Sequence, residues 1–186
     1  GDAKYVDING DGVVDDNDRT IIGRGQPIHT GGFTNNFKYK NFDLNIFFTW
    51  SYGNDILNAN RLLFDNGLWK RETNMFADRW TPENPNSDIP RAASQPNVFS
   101  SRVIEDGSYL RLKSVTLGYN FPQRVLKKLM LSSARIFVSG ENLWTWTSYT
   151  GYDPEVSVRN SALTPGFDYS AYPRAYNFSV GLNVSF

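Results

Sequence analysis

The sequence predicts an all-β fold in which antiparallel strands form a segment of a transmembrane β-barrel, with long loops on one side. Two observations lead to this fold class. Residues 42–52 and 172–186 alternate between apolar and polar side chains without a break, and a period of two is the pattern of a β-strand. The links between such segments are alternately short and long, an asymmetry that is typical of outer-membrane barrels.

Five segments alternate in this way or nearly so, and we predict them as strands: 33–39, 42–52, 108–121, 134–147 and 172–186. In the second segment one face carries Phe42, Leu44, Ile46, Phe48, Trp50 and Tyr52. The third segment changes parity near Lys113 and Ser114, which predicts a β-bulge or a twist. The predicted strands are longer than the usual five or six residues, and aromatic residues lie near their ends, where barrels carry interfacial girdles.

The connections complete this fold prediction. Residues 40–41 form a tight hairpin and residues 125–130 one or two helical turns, whereas 53–107 and 148–171 are long and rich in Asn, Asp, Pro and Gly. Long loops therefore collect on one side of the sheet. A soluble β-sandwich also shows alternation with one apolar face, so it is the alternative fold.

Composition excludes several classes of function. The 19 basic and 19 acidic side chains cancel, whereas a nucleic-acid-binding protein normally has a basic excess; no nucleic-acid partner is expected. The absence of cysteine excludes disulfides and Cys-based zinc sites. No apolar run approaches the length of a membrane helix, and the first residues do not resemble a signal peptide. Contact with a membrane would therefore be made by strands.

Residues 7–18, DINGDGVVDDND, match the calcium loop pattern D-x-[DN]-x-[DN]-G. The expected oxygen ligands are Asp7, Asn9, Asp11, the carbonyl of Val13, Asp15 and Asp18, with Gly12 at the sharp turn. Asp18 replaces the usual bidentate Glu at the twelfth position, and no helices flank the loop. The pattern predicts a structural Ca²⁺ site, and the alternative is a solvated acidic turn.

Little in the sequence favours catalysis. His29, the only histidine, lies in a loop-like segment without a partner at a recognisable spacing. Neighbouring carboxylates such as Glu105 and Asp106, or Asp153 and Glu155, do not define an acid and a base that face one bond. We therefore predict no catalytic residues and no enzyme activity.

The long loops contain aromatic and amide side chains that can either stack on sugars and grip peptide backbone, or pack the loops together. They are Trp69, Trp80, Tyr149, Tyr152, Asn54, Asn58, Asn60 and Asn66. Packing is the favoured role for any one of them, because long ordered loops need an apolar core of their own. No substrate-binding residue can be assigned from sequence.

The sequence resembles the C-terminal portion of the SusC/RagA family of TonB-dependent transporters of the Bacteroidetes. The stretches that carry the resemblance are 5–19 (YVDINGDGVVDDNDR), 39–58 (YKNFDLNIFFTWSYGNDILN), 78–85 (DRWTPENP), 104–120 (IEDGSYLRLKSVTLGYN), 138–146 (VSGENLWTW), 151–156 (GYDPEV) and 172–186. This resemblance implies about the last five strands of a barrel of about 22 strands, located in the outer membrane and in contact with its lipid.

The resemblance also implies partners and a function. It implies import of glycans or peptides, with a SusD-like surface lipoprotein and energy from the TonB complex, which parts outside this sequence would contact. Residues 1–30 would be an extracellular loop with the EF-hand-like calcium motif, and residues 31–186 barrel strands with their extracellular loops. The terminal Phe186 would be a signal for barrel assembly. The alternative function is a free-standing, calcium-stabilised glycan-binding or interaction module.

Overall fold

The computed structural model describes residues 1–64, 77–92, 98–157 and 163–186. Most of its regular structure is β-strand, and none of the helices in these ranges is long and apolar enough to cross a membrane. The strands are β1 (His29–Tyr39), β2 (Phe42–Tyr52), β3 (Asp55–Asn58), β4 (Ile104–Asp106), β5 (Tyr109–Asn120), β6 (Ser133–Thr147), β7 (Phe167–Asp168) and β8 (Asn177–Ser185). The α-helices are α1 (Ala59–Phe64) and α2 (Gln123–Leu129).

The chain divides into two compact units. One contains residues 27–54, 107–154 and 172–186, and the other contains residues 1–26, 55–106 and 155–171. We call the first the sheet unit and the second the loop unit. The predicted division into residues 1–30 and 31–186 concerns which side of a membrane each part faces, and it stays a prediction.

The sheet unit is an antiparallel sheet of five strands in the order β1-β2-β5-β6-β8. All five predicted strands are present. The first begins at His29 rather than residue 33, and the last begins only at Asn177 rather than residue 172. Pro173 has no N–H to give to a ladder, and the Ala175 carbonyl accepts a hydrogen bond from the Asn142 side chain, 3.1 Å. Residues 172–176 therefore lie outside the strand.

The predicted β-bulge is confirmed and involves two strand pairs. Phe47 pairs with Ser114 and Phe48 with Leu112, so Lys113 is an extra residue opposite β2. On the other side, two residues of β6 lie between the partners of Leu112 and Ser114. One of these two, Asn142, has the left-handed φ of 55°. The apolar residues of β5 occupy even-numbered positions before Lys113 and odd-numbered positions after it. The bulge keeps both sets on one face of the sheet.

The connections have the predicted asymmetry. At one end of the sheet, Lys40 and Asn41 join β1 to β2, and a short segment with α2 joins β5 to β6. The links from β2 to β5 and from β6 to β8 are both long and lie at the opposite end. We call these the short-link end and the long-loop end.

The loop unit has structure that the sequence did not predict. The strands β4, β3 and β7 form a small sheet in that order, antiparallel between β4 and β3 and parallel between β3 and β7. Ile56 of β3 and Val103, just before β4, are the most buried apolar side chains among the described residues of the loop unit. Strands of two to four residues are too short to show a period of two, so only tertiary pairing reveals them.

Candidate functional site

One face of the five-stranded sheet is continuously apolar. The register aligns Phe42 with Tyr119 and Leu44 with Leu117, and the same rows continue through β6 into β8. Aromatic rings meet across strands, with centroids 4.8 Å apart for Phe33 and Phe48. The apolar residues of this face that are exposed include Phe33, Phe37, Phe42, Leu110, Leu117, Ile136, Val138, Phe178, Val180 and Leu182. An exposed apolar surface of this extent indicates contact with a membrane or a partner.

Aromatic side chains with a polar atom concentrate at the two ends of this face. At the long-loop end, Trp144 and Trp146 have ring centroids 6.5 Å apart. Trp50 Nε1 donates a hydrogen bond to Nδ1 of His29, 3.1 Å, and the His29 ring stacks on Tyr52. The single histidine therefore belongs to this aromatic band. Tyr and Trp rings at both ends of an apolar band match the girdles of membrane barrels.

The opposite face of the sheet is polar, and an ion pair crosses it. Arg135 of β6 donates from Nη2 to Asp43 Oδ2 of β2 at 2.5 Å, and from Nε to Asp43 Oδ1 at 3.1 Å. Asn120 donates to the same carboxylate at 2.7 Å. The pair spans the intervening strand β5 at Gly118. A Cβ at Gly118 would lie 2.6 Å from Asp43 Oδ2 and closer still to Arg135, so the ion pair in this geometry occupies the space that the missing Cβ leaves.

A cavity of about 320 Å³ adjoins this ion pair near the short-link end. Its polar lining consists of Asn36, Lys38, Asp43, Asn45, Asn120 and Arg135. Asn45 donates to Asn36 at 2.6 Å, so the amides are bonded to one another as well as facing the cavity.

Two phenylalanines occupy positions on the polar face, and each covers a glycine of an edge strand. The Phe47 ring of β2 lies over Gly32 of β1, and the Phe137 ring of β6 lies over Gly181 of β8. An aromatic ring across a strand glycine restores the packing that glycine lacks. These rings therefore interrupt the polar face for a local packing reason, and the assignment of the two faces stands.

The predicted calcium loop is folded around its own carboxylates. Asp7 accepts hydrogen bonds from the N–H groups of Gly10 at 2.6 Å and Gly12 at 2.8 Å. Gly10 and Gly12 have φ values of 76° and 87°, a backbone conformation that favours glycine. Asp18 accepts from the N–H groups of Ile8 at 2.7 Å and Asp15 at 2.8 Å. No α-helix flanks the loop.

These hydrogen bonds change the acidity of the loop. The backbone N–H groups of Asp15 and Ile8 lower the pKa of the Asp18 carboxyl below its ordinary value of 3.8. Since the folded-state pKa is the lower one, the stabilisation is complete above about pH 3.8 and is lost as the pH falls through the folded-state pKa. The Asp18 carboxyl therefore stays charged at neutral pH.

The loop supplies hard oxygen donors of the kind that Ca²⁺ prefers, but they are not gathered into a formed centre. Within the described ranges, no three His, Cys, Asp or Glu side chains are grouped as a metal site. The carboxylates of Asp11 and Asp15 accept hydrogen bonds from the N–H groups of Val13 and Asn17. An ionised carboxylate has about four lone-pair positions, so these bonds leave each oxygen able to accept a cation as well.

The structure separates the loop aromatics and amides into packed and exposed groups. Asn54, Asn58 and Tyr149 are buried, while the Trp80 ring contacts Gly1. Asn60 accepts a hydrogen bond from the N–H of Ser170, 2.8 Å. These residues make contacts within the folded chain, and packing as their role stays a prediction.

Three of the predicted loop residues remain. Tyr152 is 85% exposed. Trp69 and Asn66 lie outside the described residues.

The terminal residue lies just beyond β8. Phe186 is 93% exposed and has the parity of Leu182 and Val184, which lie on the apolar face. The preceding carbonyl, of Ser185, accepts a hydrogen bond from Ser132 N–H, 2.9 Å. The backbone is therefore ordered up to the last residue, and its side chain extends the apolar face.

Comparison with known proteins identifies the chain. No protein-family model matches the sequence. Over its whole length, however, the chain is 42% identical to TonB-dependent receptor P3 and 37% identical to TonB-dependent receptor P26, both of Formosa agariphila. The chain belongs to the TonB-dependent receptors. It is also 28% identical, over 98% of its length, to the TonB-dependent receptor SusC of Bacteroides thetaiotaomicron.

Solved structures agree with this assignment. The RagAB peptide importer in its closed-closed state matches 89% of the chain with a TM-score of 0.76 at 28% identity, and the open-open state matches 87% with a TM-score of 0.74. The chain spans only a fifth or less of these proteins, from 17% to 20% of their lengths. The resemblance to the SusC/RagA family, the outer-membrane location and the absence of enzyme activity are thereby confirmed.

Replacing Gly118 by alanine is expected to separate Arg135 from Asp43. The atoms that the new Cβ meets are the ends of two flexible side chains, so the backbone stays in place while the ion pair breaks. The full-length receptor should lose about 1.5 kcal/mol of unfolding free energy, the lower end for hydrogen bonds to charged groups. Urea unfolding in detergent measures this. Ser139→Ala on the same face is the control, and an equal loss in both variants would contradict the role of Gly118.

Proposed function

We propose that this chain forms the C-terminal wall of an outer-membrane TonB-dependent importer, with the apolar face of the sheet toward lipid and the polar face toward the lumen. The observation that carries the proposal is the division of one sheet into an exposed apolar face with aromatic ends and a polar face with its own ion pair. By the resemblance, the five long strands are the last five of a barrel of about 22 strands. The long-loop end then faces the cell exterior.

The proposed cargo is a glycan or a peptide, and the proposed partners are a SusD-like lipoprotein at the surface and the TonB complex. Both follow from similarity to SusC and to a structure described as a peptide importer. A free-standing glycan-binding module is not favoured, because it would leave the apolar face of the sheet in water.

Arginine placed on the two faces tests the orientation. Ile46→Arg puts a charge on the lipid side and should cost roughly 2–4 kcal/mol near the bilayer midplane. The neighbouring Asn45→Arg puts the same charge on the lumen side and should be tolerated. Refolding of the full-length receptor into lipid measures both. Equal destabilisation by the two variants would refute the assigned faces.

We also propose that the acidic loop binds one structural Ca²⁺. Its ligands would be Asp7, Asn9, Asp11, the carbonyl of Val13, Asp15 and Asp18. Support comes from the donor chemistry, from the turn made at Gly10 and Gly12, and from the N–H groups of Asp15 and Ile8, which lower the pKa of the Asp18 carboxyl. Bound Ca²⁺ would draw these oxygens toward a common point. An extracellular site functions with a weak affinity, on the order of 10⁻⁴ to 10⁻³ M.

Calorimetry with millimolar CaCl₂ tests the calcium proposal on the full-length receptor. Asp11→Ala is expected to abolish the binding heat of this loop. Asp16→Ala is the matched control, because Asp16 is an acidic residue of the same loop that instead pairs with Arg19 at 2.8 Å. The same heat in the native receptor and the Asp11→Ala variant would exclude the site.

A further proposal gives Phe186 the role of an assembly signal. Deleting Phe186 removes one apolar ring, and its packing is worth at most about 1.5–3 kcal/mol. If Phe186 is read during barrel assembly, surface labelling of cells should show far less receptor than this loss accounts for. Phe178→Ala removes a ring that is also exposed on β8 and should reach the surface. Equal surface levels of the two variants would show that Phe186 is only another lipid-facing side chain.

A further inference from the structure

The segment 148–154, which follows β6 at the long-loop end, is held against the polar side of the sheet. We call it the strap. Its residues Tyr149, Asp153 and Pro154 are buried, whereas Tyr152 between them is 85% exposed. The backbone N–H of Tyr149 donates to Thr147 Oγ1 at 3.2 Å. The strap is therefore a folded segment with one large side chain in solvent.

An ion pair fixes one end of the strap. Arg111 Nη2 donates to Asp153 Oδ1 at 2.5 Å, and both side chains are more than nine-tenths buried. Arg111 Nε also donates to Thr145 Oγ1 at 2.9 Å, and the guanidinium lies over the Tyr109 ring. The register places Arg111 opposite Thr49 and Thr145, on the polar face.

A packing contact lies within the strap. Gly151 lies directly on the Tyr149 ring, so that a Cβ at this position would overlap the ring atoms. The strap therefore turns tightly around the Tyr149 side chain, and Tyr152 lies between this turn and the ion pair of Asp153.

The energetics indicate that the ion pair specifies the conformation of the strap more than it stabilises the fold. Removing two charges from water costs several kcal/mol for each ion, so a buried ion pair contributes little net stability and serves better to specify one conformation. A tyrosine on a rigid backbone presents a large contact area and has only two side-chain torsions to order on binding. The exposed Tyr152 ring therefore has the properties of a contact surface prepared in advance.

The chemistry of the polar face suggests what the ring contacts. On the described strands of the five-stranded sheet and the strap, the charged residues on this side are Lys38, Arg111, Lys113, Arg135, Asp43, Glu141 and Asp153. Four are basic and three acidic, and four of the seven form the two ion pairs. Hydroxyl and amide groups make up much of the remainder, including Asn45, Thr49, Thr116, Ser139, Asn177 and Ser179. Such a surface suits an uncharged, hydroxyl-rich ligand better than a charged peptide.

We propose that the strap is a substrate-contact element of the importer, in which the Tyr152 ring stacks on an uncharged sugar unit. Arg111 and Asp153 are positioning residues that fix the strap and do not touch the sugar. This inference rests on the proposed import function and names its substrate class and one contact residue.

Binding to the purified full-length receptor tests the contact. The probes are fluorescently labelled, neutral gluco-, manno- and xylo-oligosaccharides, with labelled tryptic peptides as the alternative class. For a neutral oligosaccharide that the native receptor binds, Tyr152→Ala should weaken binding about tenfold, which corresponds to about 1.4 kcal/mol. Tyr152→Phe should bind normally, and Tyr172→Ala, which removes a tyrosine that is 92% exposed outside the strap, should have no effect.

The outcomes distinguish the Tyr152 contact, the sugar assignment and the import function. Binding of a neutral oligosaccharide that is unchanged in Tyr152→Ala overturns the contact while leaving the import function in place. Binding of peptides alone overturns the sugar assignment, again without touching import. If no probe of either class binds or is imported, both the contact and the import function are overturned.

The positioning role has a separate readout. In the native receptor the ordered strap should resist chymotrypsin after Tyr152 although the ring is exposed. Asp153→Asn weakens the ion pair and should speed that cleavage at least about tenfold while weakening sugar binding. The double variant Arg111→Met, Asp153→Leu replaces the pair by apolar side chains of similar size, which is often tolerated in buried pairs, and should restore resistance. Unchanged cleavage in Asp153→Asn would overturn the positioning role.

Discussion

The structure depends on one constraint: a single layer of strands must present an apolar face to one environment and a polar face to another. Side chains alternate across a strand, so most apolar side chains on one face have polar sequence neighbours on the other. In the sheet unit the charged side chains lie on the polar face, which has no packed core of its own. Asp43 of β2 and Arg135 of β6 neutralise each other by pairing across β5. Their side chains meet in the space that the missing Cβ of Gly118 leaves. The charges stay on their own face and the opposite face remains apolar.

The same constraint accounts for the irregular features of the sheet. The bulge at Lys113 restores the apolar alignment after a change of parity, and the edge-strand glycines lie under rings from the inner strands. Within the described residues, β1 and β8 each have one neighbour in the sheet. An unpaired strand edge exposes a row of N–H and C=O groups that lipid cannot satisfy. Further strands on both sides, as in a closed barrel, remove this cost.

The sequence predicted what depends on local pattern and missed what depends on distant pairing. A period of two runs along each long strand and the parity change is visible at Lys113, so the strands and the bulge were predicted. The motif of the acidic loop is local too. By contrast, Asp43 and Arg135 are 92 residues apart and Arg111 and Asp153 are 42 apart, and no local pattern connects them. The strands β3, β4 and β7 escaped prediction because each is shorter than a recognisable repeat.

The two ion pairs, at opposite ends of the polar face, differ in their physical role. The pair near the short-link end is partly exposed, with side chains 28% and 23% accessible, so water shares in solvating it and its geometry can relax. The pair that holds the strap is almost fully buried, and a buried charge that loses its partner costs about 3–5 kcal/mol. The buried pair therefore favours one conformation of the strap, whereas the pair near the short-link end tolerates changes in side-chain geometry.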